Sequence, residues 1–301
     1  SMTKFHAEEC PFGTFFRILE VVNVKHLIHL SDLGEKGIDE VFRLADELRA
    51  GKHREALQGK TAVLFFPSAS LRTRVTFEMG VAALGGQPIL FPPETLDKKE
   101  DLRDVAGYLA NWADLLVIRH RDIRLLKRLA ANSACPVVNA MTDENHPCEI
   151  LSDLYALSRI RQDFRRDHYL FFGEAGNIGR AWKEAADVLG LSFIQCCPQG
   201  FEMDGVQVCH DPDEAMADAD IVCTDAWPKE HKEAFRKFQV TKRRMELARP
   251  GALLNPCPPF TRGEEVSEDV IDSAFFAGYS FKSCLLEVQQ AVLLYCLGHE
   301  Q

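Results

Sequence analysis

Ser70, Arg72, Thr73 and Arg74 crowd together in FFPSASLRTRVTFE (residues 65 to 78), where an apolar run gives way to an amphipathic pattern. This is a strand running into a helix. Hydroxyl and guanidinium donors there join the free backbone N–H groups and positive dipole end of a helix start, a set suited to an oxyanion. Each hydrogen bond to a charged oxyanion contributes about 1.5 to 3 kcal/mol net, so a handful could hold a small phosphate without a glycine loop. The same residue types also suit a solvated basic helix start, and types alone do not separate the two readings.

Three further clusters sit where apolar runs end. Arg119-His120 follows LLVI, at the carboxyl end of a strand, where open α/β sheets place ligands. His146-Pro147-Cys148-Glu149 opens a helical pattern, and a His there either donates to a carbonyl or oxyanion or caps the helix. Thr224-Asp225-Ala226-Trp227 and Asn255-Pro256-Cys257-Pro258-Pro259 each follow a strand-like run, and the Pro-Pro bond is a candidate for a cis peptide. FFGEAGNIG (171 to 179) stands where a dinucleotide fingerprint would, but it spells GxxGxxG instead of GxGxxG. LSFIQCC then leads into Pro198-Gln199-Gly200, without the acidic residue that NAD binding requires, so a dehydrogenase ranks third among the functional readings.

The elements that must position these residues can be read from the apolar runs. TAVLFF (61 to 66), QPILF (87 to 91), DLLVI (114 to 118) and CPVVNA (135 to 140) alternate with amphipathic segments, and HYLFFG (168 to 173), LSFIQCC (191 to 197), ADIVCT (219 to 224) and GALLN (251 to 255) do so again. That alternation predicts α/β architecture with two doubly wound parallel sheets, four strands in each half. Between the halves, PCEILSDLYALSRI places Ile150, Leu151, Leu154 and Leu157 at helical spacing, with Pro147 suited to a first helical position. We expect an interdomain helix here, with one domain over 1–145 and the other over 146–284. SCLLEVQQAVLLYCL (283 to 297) predicts a packed apolar helix.

The chain has 301 residues, 46% hydrophobic and 27% charged, which excludes disorder, collagen and coiled coil. With 45 Asp and Glu against 35 Lys and Arg, its net charge of −10 argues against a nucleic-acid or anionic-membrane partner, because both want a positive field. No apolar stretch approaches the roughly 20 residues of a membrane span. Glu8 and Glu9 near the start, without a basic region and apolar run, predict no secretory signal, and Ser1 before Met2 reads as an expression scar. The 10 cysteines form no CxxC pair and no zinc spacing, as expected of reduced thiols in a cytoplasmic protein without structural metal.

Taken in order, SLRTRVTFE, KKEDLRD (98 to 104), LLVIRH (115 to 120), HPCE (146 to 149), FFGEAGNIG, TDAW (224 to 227), CPPFTRGEEV (257 to 266) and the terminal helix resemble the aspartate and ornithine carbamoyltransferase family, over about residues 25 to 298. The resemblance implies a carbamoyl-phosphate domain and an amine-acceptor domain, a last helix (285–301) returning to the first, no cofactor, and a homotrimer with active sites between subunits. Ser70, Leu71 (through its N–H), Arg72 and Thr73 match the phosphate grip. Arg119 and His146 match the pair at the carbamoyl oxygen, and with Thr73 they would form its oxyanion hole. Lys98 or Lys99 matches a lysine that reaches a neighbouring subunit's site.

The acceptor amine must be neutral, yet an alkyl ammonium has a pKa of about 10.4, so deprotonation at pH 7 costs about 4 to 5 kcal/mol. Cys257 matches the ornithine-branch cysteine beside the reacting amine, and carbonyls near Pro258 and Pro259 could accept its protons. Asn177 and Asp225 match residues holding the acceptor's α-amino end. Lys229-Glu230-His231 replaces the ornithine branch's Ser-Met-Gly loop, and Lys229 is expected to meet an acceptor carboxylate.

Three departures bear on activity. Glu149 replaces a Gln; it can still accept from the carbamoyl NH2, but its charge repels phosphate unless Arg72 or Arg119 offsets it. Pro256 replaces a His, and Leu285 falls where the ornithine branch has an Arg. The expected activity is transfer of the carbamoyl group from carbamoyl phosphate to a small amino acid or diamine. The alternatives are a non-catalytic binding or regulatory relative, or an aspartate carbamoyltransferase.

Overall fold

The computed structural model describes residues 24–299; Ser1, Met2, Glu8 and Glu9, on which the targeting expectations rest, lie outside that range. The described residues run through α1 (Gly34–Arg49), β1 (Thr61–Phe65), α2 (Arg72–Ala83), β2 (Gln87–Phe91), α3 (Leu102–Leu109), β3 (Leu115–Arg119), α4 (Ile123–Ala130) and β4 (Val137–Met141). The four strands form a parallel sheet in the order β2-β1-β3-β4. β1, β3 and β4 are buried along nearly their whole length, because helices cover both faces of a parallel sheet and leave no polar side.

α5 (Pro147–Ile160) crosses to the second sheet, with Pro147 in its first turn and every residue from Pro147 to Leu157 buried. Then come β5 (His168–Phe172), α6 (Asn177–Leu189), β6 (Ser192–Cys196), β7 (Gln207–Cys209), α7 (Pro212–Met216), β8 (Ile221–Thr224), α8 (Lys232–Phe235), α9 (Lys242–Met245), β9 (Leu253–Pro256) and α10 (Glu268–Ile271). This sheet is also parallel, in the order β7-β6-β5-β8-β9. It has five strands, not the four the sequence predicts. β7 is three residues long, begins with an exposed Gln207 and lies at the edge, so it carries no apolar run to betray it. α11 (Leu285–Cys296) returns to pack on α1, α2 and α5.

Both sheets reverse strand order inside the sheet, the first between β1 and β3 and the second between β5 and β8. A crevice opens at the carboxyl ends of the strands flanking such a reversal, because the loops on either side lead away in opposite directions. The sequence motifs fall on the loops that leave these strands. Among the described residues, no helix is long and apolar enough to cross a membrane, and nine cysteines are free thiols.

Candidate active site

The loop leaving β1 turns into α2 at Leu71, and no side chain caps this helix start. Thr73 in its first turn is buried, while Leu71 and Arg72 are exposed. Arg119 ends β3 in the neighbouring strand, and its Nη1 donates to Ser70 Oγ at 3.0 Å. The Arg72 guanidinium has no hydrogen bond or ion pair among the described residues. Burial, and then the positive charge of Arg72, lower the pKa of Arg119, while Glu149 opposes them. Two like charges facing each other at an uncapped helix start form a site that an anion would relax.

A cavity of about 240 Å³ joins this cradle to the second sheet. The first-sheet side supplies Leu71, Arg72, Thr73, Arg119 and Met141; α5 supplies His146 and Glu149; the far side supplies Asn177, Ile178, Asp225, Cys257, Pro258 and Pro259. The site residues expected from sequence therefore converge on this cavity with four exceptions, of which Ser70 is buried beside it and touches the lining through its hydrogen bond to Arg119. Lys229 is exposed on the 3-10 turn Lys229–His231 and does not line the cavity. Lys98 and Lys99 are exposed on the loop before α3, also away from it.

His146 precedes the first turn of α5 and is buried, and its Nδ1 is sealed from solvent without a hydrogen-bond partner. Burial pushes its pKa down to about 4, against the pull of Glu149, so the ring is neutral at pH 7. His146 lines the cavity, and its Nε2, which has no hydrogen-bond partner among the described residues, is the nitrogen through which the neutral ring can donate to a developing oxyanion. His120, beside Arg119 in sequence, turns elsewhere: its Nε2 pairs with Asp97 Oδ1 at 3.0 Å and its Nδ1 accepts from the Asp122 N–H. Its role is to hold the loop that carries Lys98 and Lys99.

On the far side, Asn177 Nδ2 donates to the Thr142 carbonyl at 2.9 Å, tying the start of α6 to the end of β4. Asp225 follows β8 and takes the Ala226 N–H on Oδ1 at 2.8 Å. Burial raises its pKa to about 6, with Glu265, Glu174 and Glu149 adding to the rise. Burial, followed by Glu149 and Asp225, raises the Cys257 thiol well above its usual range, so it is an S–H group at neutral pH and no base. The Pro258-Pro259 peptide is cis.

Two of the three glycines of GEAGNIG, Gly173 and Gly179, have a packing reason. A Cβ on Gly179 would lie 2.7 Å from the Phe171 ring and 3.1 Å from the Glu174 carbonyl, and one on Gly173 would also meet that ring at 2.7 Å. They let α6 lie close on β5, and nothing about them calls for a pyrophosphate.

Lys282 is the residue that sequence reading missed. It lies in the 3-10 segment Tyr279–Cys284, and its Nζ meets Glu149 Oε1 at 2.7 Å and Asp153 Oδ1 at 2.5 Å. Asp153 Oδ2 in turn accepts from Asn255 Nδ2 at 2.7 Å. The charge of Glu149 is thus offset chiefly by Lys282, with Arg72 a smaller contributor and no ion pair to Arg119. A signal existed: two acids four residues apart on an otherwise apolar helix face require a buried cation. It pointed to no particular lysine.

Two open parallel sheets that turn their switch points toward one cleft, with cationic and hydroxyl donors on one wall and amide, carboxylate and thiol groups on the other, define a two-part α/β protein built to bring two small polar molecules together. Residues 25–159 match the aspartate/ornithine carbamoyltransferase carbamoyl-P binding domain and residues 167–296 the Asp/Orn binding domain of the same family. Ornithine carbamoyltransferase from Geobacter sulfurreducens is 31% identical, the match covering 90% of this chain and 98% of that protein; that from Chromobacterium violaceum is 32% identical over 93% and 100%. Among solved structures, ornithine carbamoyltransferase from Pyrococcus furiosus superposes with a TM-score of 0.85 at 29% identity, covering 92% of this chain and 98% of that one. The Thermus thermophilus enzyme gives 0.84 at 30%, covering 91% and 99%. The chain belongs to the aspartate/ornithine carbamoyltransferase family.

Proposed function

We propose that the protein transfers the carbamoyl group of carbamoyl phosphate to the amine of a small amino acid or diamine. The observation that carries this reading is the convergence of Arg72, Thr73 and Arg119 on one cavity that Asn177, Asp225 and Cys257 close from the other sheet. Carbamoyl phosphate lies with its phosphate on the α2 start and Ser70, and with its carbonyl oxygen toward Thr73, Arg119 and His146. The neutral acceptor amine, its partner ammonium held by Asp225, attacks the carbamoyl carbon. A C–N bond forms, the C–O bond to phosphate breaks with its electron pair going to the phosphate oxygen, and that oxygen takes the proton the amine nitrogen sheds. As charge gathers on the carbonyl oxygen, three donors already in place stabilise it more than they did the ground state.

The reading extends to the division of labour: residues 1–145 with 285–301 bind the donor and 146–284 the acceptor, in a cytoplasmic homotrimer. Leu71, Met79, Tyr108 and Trp112 on or beside α2 and α3 are exposed at 55 to 70%, an apolar surface that supports assembly there, with Lys98 and Lys99 reaching a neighbour's cavity. Phosphate release from carbamoyl phosphate, measured with ornithine, lysine, diaminopropionate, aspartate and putrescine and backed by mass detection of the ureido product, tests the activity. Turnover with one acceptor supports it, and silence from all five returns the non-catalytic reading to the front.

A further inference from the structure

Glu149 and Asp153 stand one turn apart on α5 and face the 3-10 segment Tyr279–Cys284, which sends Lys282 between them. The three side chains are largely withdrawn from water, at 19% exposure for Lys282, 8% for Glu149 and 2% for Asp153. Asn255 occupies the second oxygen of Asp153. Glu149 has no such partner for Oε2 among the described residues, and it alone of the three lines the cavity. The triad therefore has one open valence, and it faces the reaction space between the Arg72–Arg119 cradle and Asp225.

We propose that Lys282 is a positioning residue for the donor, holding Glu149 as a fixed carboxylate whose free oxygen takes the NH2 of the carbamoyl group and so selects a carbamoyl phosphate over an acyl phosphate of the same size. This rests on the carbamoyl-transfer reading. A methyl group in place of NH2 leaves that buried charged acceptor unpaired, and unpaired buried acceptors discriminate more strongly than any difference in fit. Burial alone would raise Glu149, but the Lys282 ammonium outweighs it and holds the carboxyl low. Asp153 sits at about 6 because burial outweighs the pull of Lys282. The other titratable or charged groups around the triad are Arg72 and Arg119 on the first-sheet side, and Cys223, Asp225 and Cys257 on the second.

Calorimetric titration of the intact protein with carbamoyl phosphate and with acetyl phosphate tests the assignment. The wild type should prefer carbamoyl phosphate by about 100-fold, with a ratio that is flat between about pH 7 and 8.5. Lys282→Met should lower the preference about tenfold and make the ratio vary across that interval, since the two stranded carboxylates then share a proton; Lys282→Arg should restore most of both. If Lys282→Met does not fold, Glu149→Gln, which keeps the Lys282–Asp153 pair, should still lower the preference about tenfold. A folded Lys282→Met that weakens both ligands equally, or a Glu149→Gln with the wild-type preference, overturns the role of Lys282. A wild type that binds no carbamoyl phosphate overturns the carbamoyl reading itself, and this role with it.

Discussion

Arg119 and Ser70, 49 positions apart in the chain, meet through a 3.0 Å hydrogen bond from Nη1 to Oγ. The bond forms because β1 and β3 are neighbours in the first sheet, so the loop leaving one and the last residue of the other share a single crevice. It fixes a long, flexible guanidinium in the orientation an incoming oxyanion needs. Arg119→Ala should therefore lower kcat/KM by about 100- to 1000-fold, as expected for one donor lost from an oxyanion site. Binding of carbamoyl phosphate by calorimetry should weaken in parallel. Unchanged binding would remove Arg119 from the site.

Asp225 ties activity and stability to pH in opposite senses. Its folded pKa of about 6 lies above the 3.8 of an unperturbed Asp, so between those values the folded state binds more protons than the unfolded one. Its contribution to stability therefore falls as pH rises through that window, and above it the buried charge is a constant burden. Activity needs the same charge for the acceptor's ammonium, so kcat/KM should decline below about pH 6. Asp225→Asn should lose roughly 10- to 100-fold in kcat/KM, the worth of one charged hydrogen bond, and lose that acid limb. It should also melt at a higher temperature than wild type at pH 7.5 and show little difference at pH 4. A variant that keeps the acid limb would assign it to another group.

How far these features were legible follows from their physics. Strands buried on both faces announce themselves as apolar runs, which is why β1, β3, β5 and β8 stand out in the sequence, and Pro147 marks the start of α5. Short motifs at strand ends fixed the cradle, because chemistry at a switch point is local in sequence. Lys282 escaped because its partners lie more than a hundred residues away on another element, and such pairing has no local trace. Lys229 was expected from its charge and its place in the Lys229-Glu230-His231 loop, neither of which encodes loop direction, and it stands exposed outside the cavity lining.

Gly179 offers a test of the packing account of GEAGNIG. In Gly179→Ala the new methyl would sit 2.7 Å from the Phe171 ring, with the Glu174 carbonyl and Met203 sulfur each at 3.1 Å, so either α6 or the ring must move. Overpacking of this kind destabilises by about 1 to 3 kcal/mol, readable as a lower midpoint in urea with an unchanged slope. NADH fluorescence should be unaltered on mixing with the wild type. Quenching or enhancement that Gly179→Ala abolishes would favour a nucleotide role for the loop instead.

Glu184 on α6 links the second sheet's helices to the segment before α1. Its Oε1 meets His29 Nδ1 at 2.7 Å and Asn145 Nδ2 at 3.2 Å, and its Oε2 takes the Leu30 N–H at 3.1 Å. The hydrogen bond that His29 donates to Glu184 is the main cause of its raised pKa, with burial opposing it. A His whose folded pKa exceeds its unfolded 6.5 contributes stability that is complete below that value and is lost as pH rises through the folded one. Glu184→Gln keeps an acceptor for Leu30 or Asn145 but loses the charge, so its stability deficit should be larger at pH 6 than at pH 8.5, by about 1 kcal/mol for a charged hydrogen bond that is only partly shielded from water. Urea denaturation of wild type and variant at the two pH values measures it. Equal deficits at both would show that the carboxylate stabilises the protein through the Leu30 and Asn145 donors rather than through the imidazolium.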